Sequence, residues 1–239
     1  MRLLIFVVFT FFGLASFSQI IINEYSAANY DGFNDNYGEN EDWFELYNAS
    51  LFPINLNGYY VSDKNNNLTK WQFTSDVNIN PNEHIVIYCS GRNEINGGGG
   101  IHTNFKLHQT KGNEWIILTD PDGTTIIDSV FVKPCLTNSS RGRLNYSDNS
   151  KGVFINPSPA NINIGGFIEY ATKPSFSPIP GIYANTTNVT ISTDPSLTIF
   201  YTTDGSLPDN TDNQYNGPIS INNTTVLKAV AYSLSLIHI

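Results

Sequence analysis

The chain has 239 residues, with 12 Lys and Arg against 21 Asp and Glu, giving a net charge of -9. Such a surface repels phosphate backbones, and the one close basic pair, Arg141 and Arg143, does not offset it, so nucleic acid is not an expected partner. The length allows one large or two modest domains, each with its own core.

At the amino terminus Arg2 precedes an apolar run over residues 3–15, followed by the small residues Ser16 and Ser18. This is the pattern of a secretory signal peptide cleaved after Ser18. The run is shorter than the roughly 20 residues a spanning helix needs. No later segment is long and apolar enough to span a bilayer. The sequence therefore predicts a chain that is secreted or displayed at the cell surface, with no membrane span.

Short strands are predicted along most of the mature chain. Residues 20–25, 43–47, 58–62, 71–73, 84–89, 114–119 and 124–132 are rich in β-branched or aromatic side chains and bounded by turn formers. Asp120-Pro121-Asp122-Gly123 joins two of them as a hairpin, since Pro presets φ at the second turn position and Gly accepts the left-handed one. No sustained 3.6-residue apolar period occurs between residues 19 and 164, which disfavours helices. Many short strands at close spacing imply a sandwich or barrel. Cys89 and Cys135 lack zinc-site spacing and read as two half-buried free thiols rather than a bridge.

Ile22-Asn23-Glu24, Glu41-Asp42-Trp43-Phe44-Glu45-Leu46-Tyr47-Asn48 and Leu56-Asn57-Gly58-Tyr59-Tyr60-Val61-Ser62-Asp63 occur in the order of successive blocks of a known family. Trp71, the strand over residues 83–91, residues 101–107, Ile117-Leu118-Thr119-Asp120, Ser140-Arg141-Gly142-Arg143 and Asn156-Pro157-Ser158-Pro159-Ala160-Asn161 continue it. On these blocks residues 19–164 resemble the lamin tail domain. The resemblance implies an immunoglobulin-like β-sandwich and brings no catalytic residues with it. Bacterial members sit in secreted or surface proteins.

Residues 165–172 read as a linker, after which composition shifts toward Thr and Pro. Pro174-Ser175-Phe176-Ser177-Pro178, Tyr201-Thr202-Thr203-Asp204-Gly205-Ser206-Leu207-Pro208, Tyr215-Asn216-Gly217-Pro218 and the run over residues 226–232 follow. Residues 173–233 resemble the small module at the C-terminus of chitobiase and beta-hexosaminidase, again immunoglobulin-like. In enzymes carrying it, the sugar chemistry lies in a separate barrel domain. The fold expectation is thus all-β: two tandem immunoglobulin-like sandwiches after a cleaved signal peptide. The second is expected to lack an edge strand. Residues 234–239 form an atypical tail that reads either as foreign sequence, with the natural gene running on, or as the missing strand itself.

Chemistry-bearing motifs are sparse. His84, His102 and His108 show no metal-ligand spacing, and neither His-Glu-x-x-His nor Gly-x-Ser-x-Gly occurs. Residues 97–100 are four glycines without a following Lys-Ser/Thr, so they predict a hairpin tip, not a phosphate cradle. One loop is crowded with oxygen donors: Asp31, Asn34, Asp35, Asn36, Glu39, Asn40, Glu41 and Asp42. It reads either as a Ca²⁺ site, with Asp31, Asp35, Glu39, Glu41 and Asp42 as ligands, or as a metal-free solvated loop. No other cofactor is expected.

Two functions remain. One is a non-catalytic secreted or surface module that contacts an extracellular protein or polysaccharide. The other is the accessory N-terminal part of a larger secreted enzyme, a spore-coat-protein-H-type kinase or a hydrolase, with its catalytic domain beyond residue 239.

Overall fold

The computed structural model describes residues 20–146 and 149–233, in two units, one ending at Ile168 and one beginning at Glu169. The expected signal peptide at 1–18 and the tail at 234–239 lie outside the described residues. Within them every regular element is a strand, and no helix is long and apolar enough to cross a membrane. The all-β expectation is met.

The first unit contains β1 (Ile20–Ser26), β2 (Trp43–Asn48), β3 (Ile54–Asn55), β4 (Tyr60–Ser62), β5 (Trp71–Gln72), β6 (Asn78–Ile79) and β7 (His84–Tyr88). It continues with β8 (Glu94–Gly97), β9 (Gly100–His102), β10 (Trp115–Thr119), β11 (Ile126–Phe131), β12 (Ser140–Arg143) and β13 (Lys151–Phe154). Seven strands form one sheet in the order β13-β12-β1-β2-β7-β9-β8, and four form another in the order β11-β10-β4-β5. All seven predicted strands of this unit are present, though β4, β5, β7, β10 and β11 are shorter than expected. Strands β3, β6, β8, β9, β12 and β13 were not foreseen, because each is short and polar or glycine-rich.

The two sheets enclose one core. Alternation in Trp43-Phe44-Glu45-Leu46 sends Phe44 and Leu46 inward, where they join Ile87 from the large sheet and Val61, Trp71, Ile116 and Leu118 from the small one. Full burial of each such side chain contributes roughly 1.5–3 kcal/mol. Both cysteines are free, but the expectation of half-burial is corrected: Cys89 and Cys135 both belong to this core, where burial pushes both thiols up. The hairpin tips form as read. Gly123 has φ +72° and donates to the Asp120 carbonyl at 2.9 Å, while Gly98 and Gly99, both at positive φ, turn β8 into β9. Phe167 pairs with Val153, so the segment read as a linker begins on residues that extend the first unit.

The second unit contains β14 (Ser175–Ser177), β15 (Thr187–Ser192), β16 (Leu197–Thr202), β17 (Asn213–Gln214), β18 (Ile219–Ile221) and β19 (Lys228–Ser233). They form two three-stranded sheets, β14-β15-β18 and β17-β16-β19. Its core is thin, with Ile191, Ile199 and Ala231 as its buried hydrophobic residues among those described. The Asp204-Gly205-Ser206 turn is closed by the Asp204 carboxylate, which accepts from the Ser206 amide at 2.9 Å, and Thr202 Oγ1 donates to the Ser206 carbonyl at 2.7 Å.

Asn48, the last residue of β2, is fully buried and fastens the next turn. Its Nδ2 donates to the Phe52 and Ile79 carbonyls, each at 2.8 Å, and its Oδ1 accepts from the Ser50 amide at 2.9 Å. Asn48→Ala removes all three bonds at a fully buried position and is expected to lower unfolding free energy by about 2–3 kcal/mol, read as a lower urea midpoint with unchanged slope.

Candidate functional site

The face of the large sheet turned away from the core is also buried, and irregular segments bury it. β1 carries a bulge: Ile22 pairs with Leu46, but Glu24, not Asn23, pairs with Glu45. The extra residue flips the alternation, so that Ile20, Ile22, Tyr25 and Ala27 all reach the core while Glu24 turns outward beside Glu45. Both carboxylates are buried, at 1% and 0% exposure.

The segment over residues 156–163 lies across this pair and supplies its donors. Ser158 gives its amide to both Glu24 oxygens at 3.2 Å and its hydroxyl to Oε2 at 3.2 Å, with Ser140 Oγ bonded to Oε1. Glu45 accepts from Asn23 Nδ2 at 2.7 Å and from the Ala160 amide. Asn163 in turn joins Asn23 to the Arg143 carbonyl. Burial pushes Glu45 up to about 8 and raises Glu24, partly against these donors, and the Glu24 charge adds to the rise at Glu45. His84 Nε2 lies 3.9 Å from Glu45 and 3.0 Å from the Tyr146 hydroxyl; burial lowers its pKa, which favours the neutral ring.

The other half of the face lies under the loop over residues 27–42. Phe33 packs 6.0 Å from both the Trp43 and Tyr88 rings. His102, fully buried, stacks on Tyr88 at 5.1 Å and meets Tyr37 at 5.6 Å. Its Nδ1 is 2.9 Å from Ser90 Oγ and its Nε2 2.7 Å from Asn36 Oδ1. A Ser–His–Asn relay could serve a nucleophile, but here Ser90 and His102 are both buried and the ring is covered by Tyr37 and Tyr88. The relay ties the loop to β7 and β9. Sequence reading missed it because its members are 66 and 12 residues apart and only the fold unites them.

The five carboxylates read as a Ca²⁺ set are used separately. Asp31 bonds to Asn138 Nδ2, and Glu39 pairs with Arg92 at 2.5 Å. Glu41 pairs with Lys106 at 2.9 Å. Asp35 Oδ1 accepts from the amides of Tyr37 and Glu39 at 2.8 and 2.9 Å, closing the loop on itself. Asp42 accepts from the Asn29 amide at 3.1 Å, and burial pushes it up to about 6. Asp35 Oδ2 is buried without a hydrogen-bond partner, but one such oxygen is far from the six to eight that Ca²⁺ takes. Among the described residues no group of three or more His, Cys, Asp or Glu side chains is placed to hold a metal ion.

Beside the paired Asp31 and Glu39, what this loop leaves outward is aromatic and amide. Tyr30 is 80% exposed and Tyr37 46%. The Arg92 guanidinium lies 4.5 Å over the Tyr37 ring, and the Tyr37 hydroxyl donates to Glu94 at 2.7 Å.

Two outcomes are expected. Carboxyl NMR should show a glutamate with a midpoint near 8, assigned to Glu45. Because the folded value lies above the unfolded one of 4.5, its contribution to stability is complete below pH 4.5 and is lost as pH rises to about 8. The loss attributable to Glu45 is on the order of 2–4 kcal/mol across that window. Gly100→Ala, whose Cβ would fall 1.9 Å from Asn36 Oδ1 and 2.8 Å from His102 Nε2, should break the relay, seen as faster amide exchange in residues 33–40.

Residues 15–133 match the family model of the Lamin Tail Domain, and residues 178–236 match that of the Chitobiase/beta-hexosaminidase C-terminal domain. No curated protein and no solved structure matches the chain. The first match stops before β12 and β13, which nonetheless complete the large sheet beside β1. The two matches fall in this order on two all-β units, so the chain carries a lamin-tail-like domain followed by a chitobiase/beta-hexosaminidase C-terminal-like domain.

Proposed function

We propose that the chain is a non-catalytic binding and presentation module of a secreted or surface-displayed protein, contacting an extracellular protein or polysaccharide. The leader pattern in residues 1–18 supports the location. The observation that carries the function is the division of roles in the 27–42 loop. Its carboxylates are engaged in hydrogen bonds and ion pairs, while Tyr30 and Tyr37 are held outward, Tyr37 beneath the Arg92 guanidinium that pairs with Glu39. Rigid aromatic and guanidinium groups lose little entropy when a partner covers them, which makes them effective contact residues.

The match at residues 178–236 favours a second reading, in which both modules accompany a larger secreted enzyme, a kinase or a hydrolase. In that reading too the chain itself binds and positions.

The purified chain, incubated with insoluble chitin, cellulose and peptidoglycan, is expected to be depleted from solution by at least one of them and to release no reducing ends. Tyr37→Ala combined with Arg92→Ala should weaken retention by about tenfold. Release of reducing ends that disappears on replacing a single side chain would overturn the non-catalytic reading.

A further inference from the structure

The sandwich is open on one side, between β5, an edge of the four-stranded sheet, and β8, an edge of the seven-stranded one. A cleft of about 350 Å³ lies there, lined by residues of β5, β8 and the segments beside them. Its size falls at the small end of ligand pockets. Trp71 and Ile95 contribute its apolar surface, and the half-buried Tyr60 adds an aromatic ring with its hydroxyl.

Three amides give the cleft its character. Gln72 is fixed by Nε2 donating to the Gly58 carbonyl at 3.1 Å, which leaves Oε1 unused. Asn93 is fixed by Oδ1 accepting from Trp71 Nε1 at 3.0 Å, which leaves Nδ2 unused. Asn104 is fixed by Nδ2 donating to the Lys70 carbonyl at 3.1 Å, which leaves Oδ1 unused. Each side chain is anchored through one end and keeps hydrogen-bonding capacity at the other. The hydroxyls of Tyr60, Thr69 and Thr74 also line the cleft and make no hydrogen bond to the described residues. The result is a ring of pre-oriented neutral donors and acceptors around aromatic surface, at low ordering cost.

Charge narrows the ligand. No carboxylate lines the cleft, and its one cation, Lys70, is spent on Asp63 at 2.5 Å and lies 5.0 Å over the Phe105 ring. The acidic chain, at -9, repels anionic ligands. An added peptide strand is disfavoured, because Asn104 already occupies the Lys70 carbonyl at this edge. Resting on the reading of this domain as a binding module, we propose that the cleft between β5 and β8 binds a neutral oligosaccharide, its hydroxyls met by Gln72, Asn93 and Asn104 and a pyranose face by Tyr60.

The full chain is titrated with chitohexaose, cellohexaose and oligogalacturonate while backbone amide signals are followed by NMR. Saturable shifts at Gln72, Asn93 and Asn104 are expected with at least one neutral sugar and not with oligogalacturonate. Gln72→Ala and Asn104→Ala, at a half-buried and an exposed position, should each weaken that binding at least about fivefold, whereas Leu51→Ala, at an exposed position outside both the cleft and the 27–42 loop, should leave it unchanged. Absence of saturation by both neutral sugars, or affinity untouched by the two cleft variants, would overturn the site. Retention on insoluble polysaccharide that survives the cleft variants would sink the cleft and keep the module; hydrolysis of the hexasaccharide with binding intact would do the reverse.

Discussion

The pairing of β1 with β2 is the constraint on which the rest of the first domain depends. It must fill the core on one side and, through the bulge at Asn23, it brings Glu24 against Glu45 on the other. Two adjacent carboxylates are tolerable in water, but these have 1% and 0% exposure, and among the described residues no Lys or Arg is bonded to either. Their burial is offset by amide and hydroxyl donors aimed at each oxygen. The segment over residues 156–163 is therefore part of the sandwich as much as any strand, and its departure would leave two carboxylates competing for water.

The same logic holds at the other end of that face. Trp43 and Tyr88 are large rings on the side of the sheet that alternation assigns to solvent, and the 27–42 loop covers them with Phe33. A loop with so many acidic residues would repel itself if all faced the same way. Instead Glu39 and Glu41 are paired with Arg92 and Lys106, and Asp35 caps its own turn. That settlement leaves the loop ordered, with Tyr37 held between His102 and the Arg92 guanidinium. The exposed groups that remain once these carboxylates are satisfied include Tyr30 and Tyr37, on which the proposed contact role rests.

Much of this architecture is legible in the chain. The alternation of Trp43-Phe44-Glu45-Leu46-Tyr47 reveals a strand with two distinct faces, and Asp120-Pro121-Asp122-Gly123 marks the hairpin of β10 and β11 by turn chemistry alone. What alternation cannot reveal is that the second face is covered. Glu45 reads as a solvated carboxylate until Ala160, 115 residues away, is seen to donate to it. The acidic loop misleads in a related way, since clustering in sequence says nothing of where Arg92 and Lys106 will arrive. The bulge at Asn23 has no sequence signal of its own, yet it decides which way Glu24 points. Short strands such as β8 and β9 are hidden by their glycines and polar residues, and only their partners define them.

The central claim is that residues 156–163 are locked onto Glu24 and Glu45 as an integral layer of the domain. Native-state hydrogen exchange at the Ser158 and Ala160 amides tests it most directly, since both donate to buried carboxylates and neither lies in a strand. Protection comparable to that of the β1 and β2 amides is expected. Exchange at the rate of an unprotected loop would contradict the claim, and with it the account of how this sandwich keeps two carboxylates out of water.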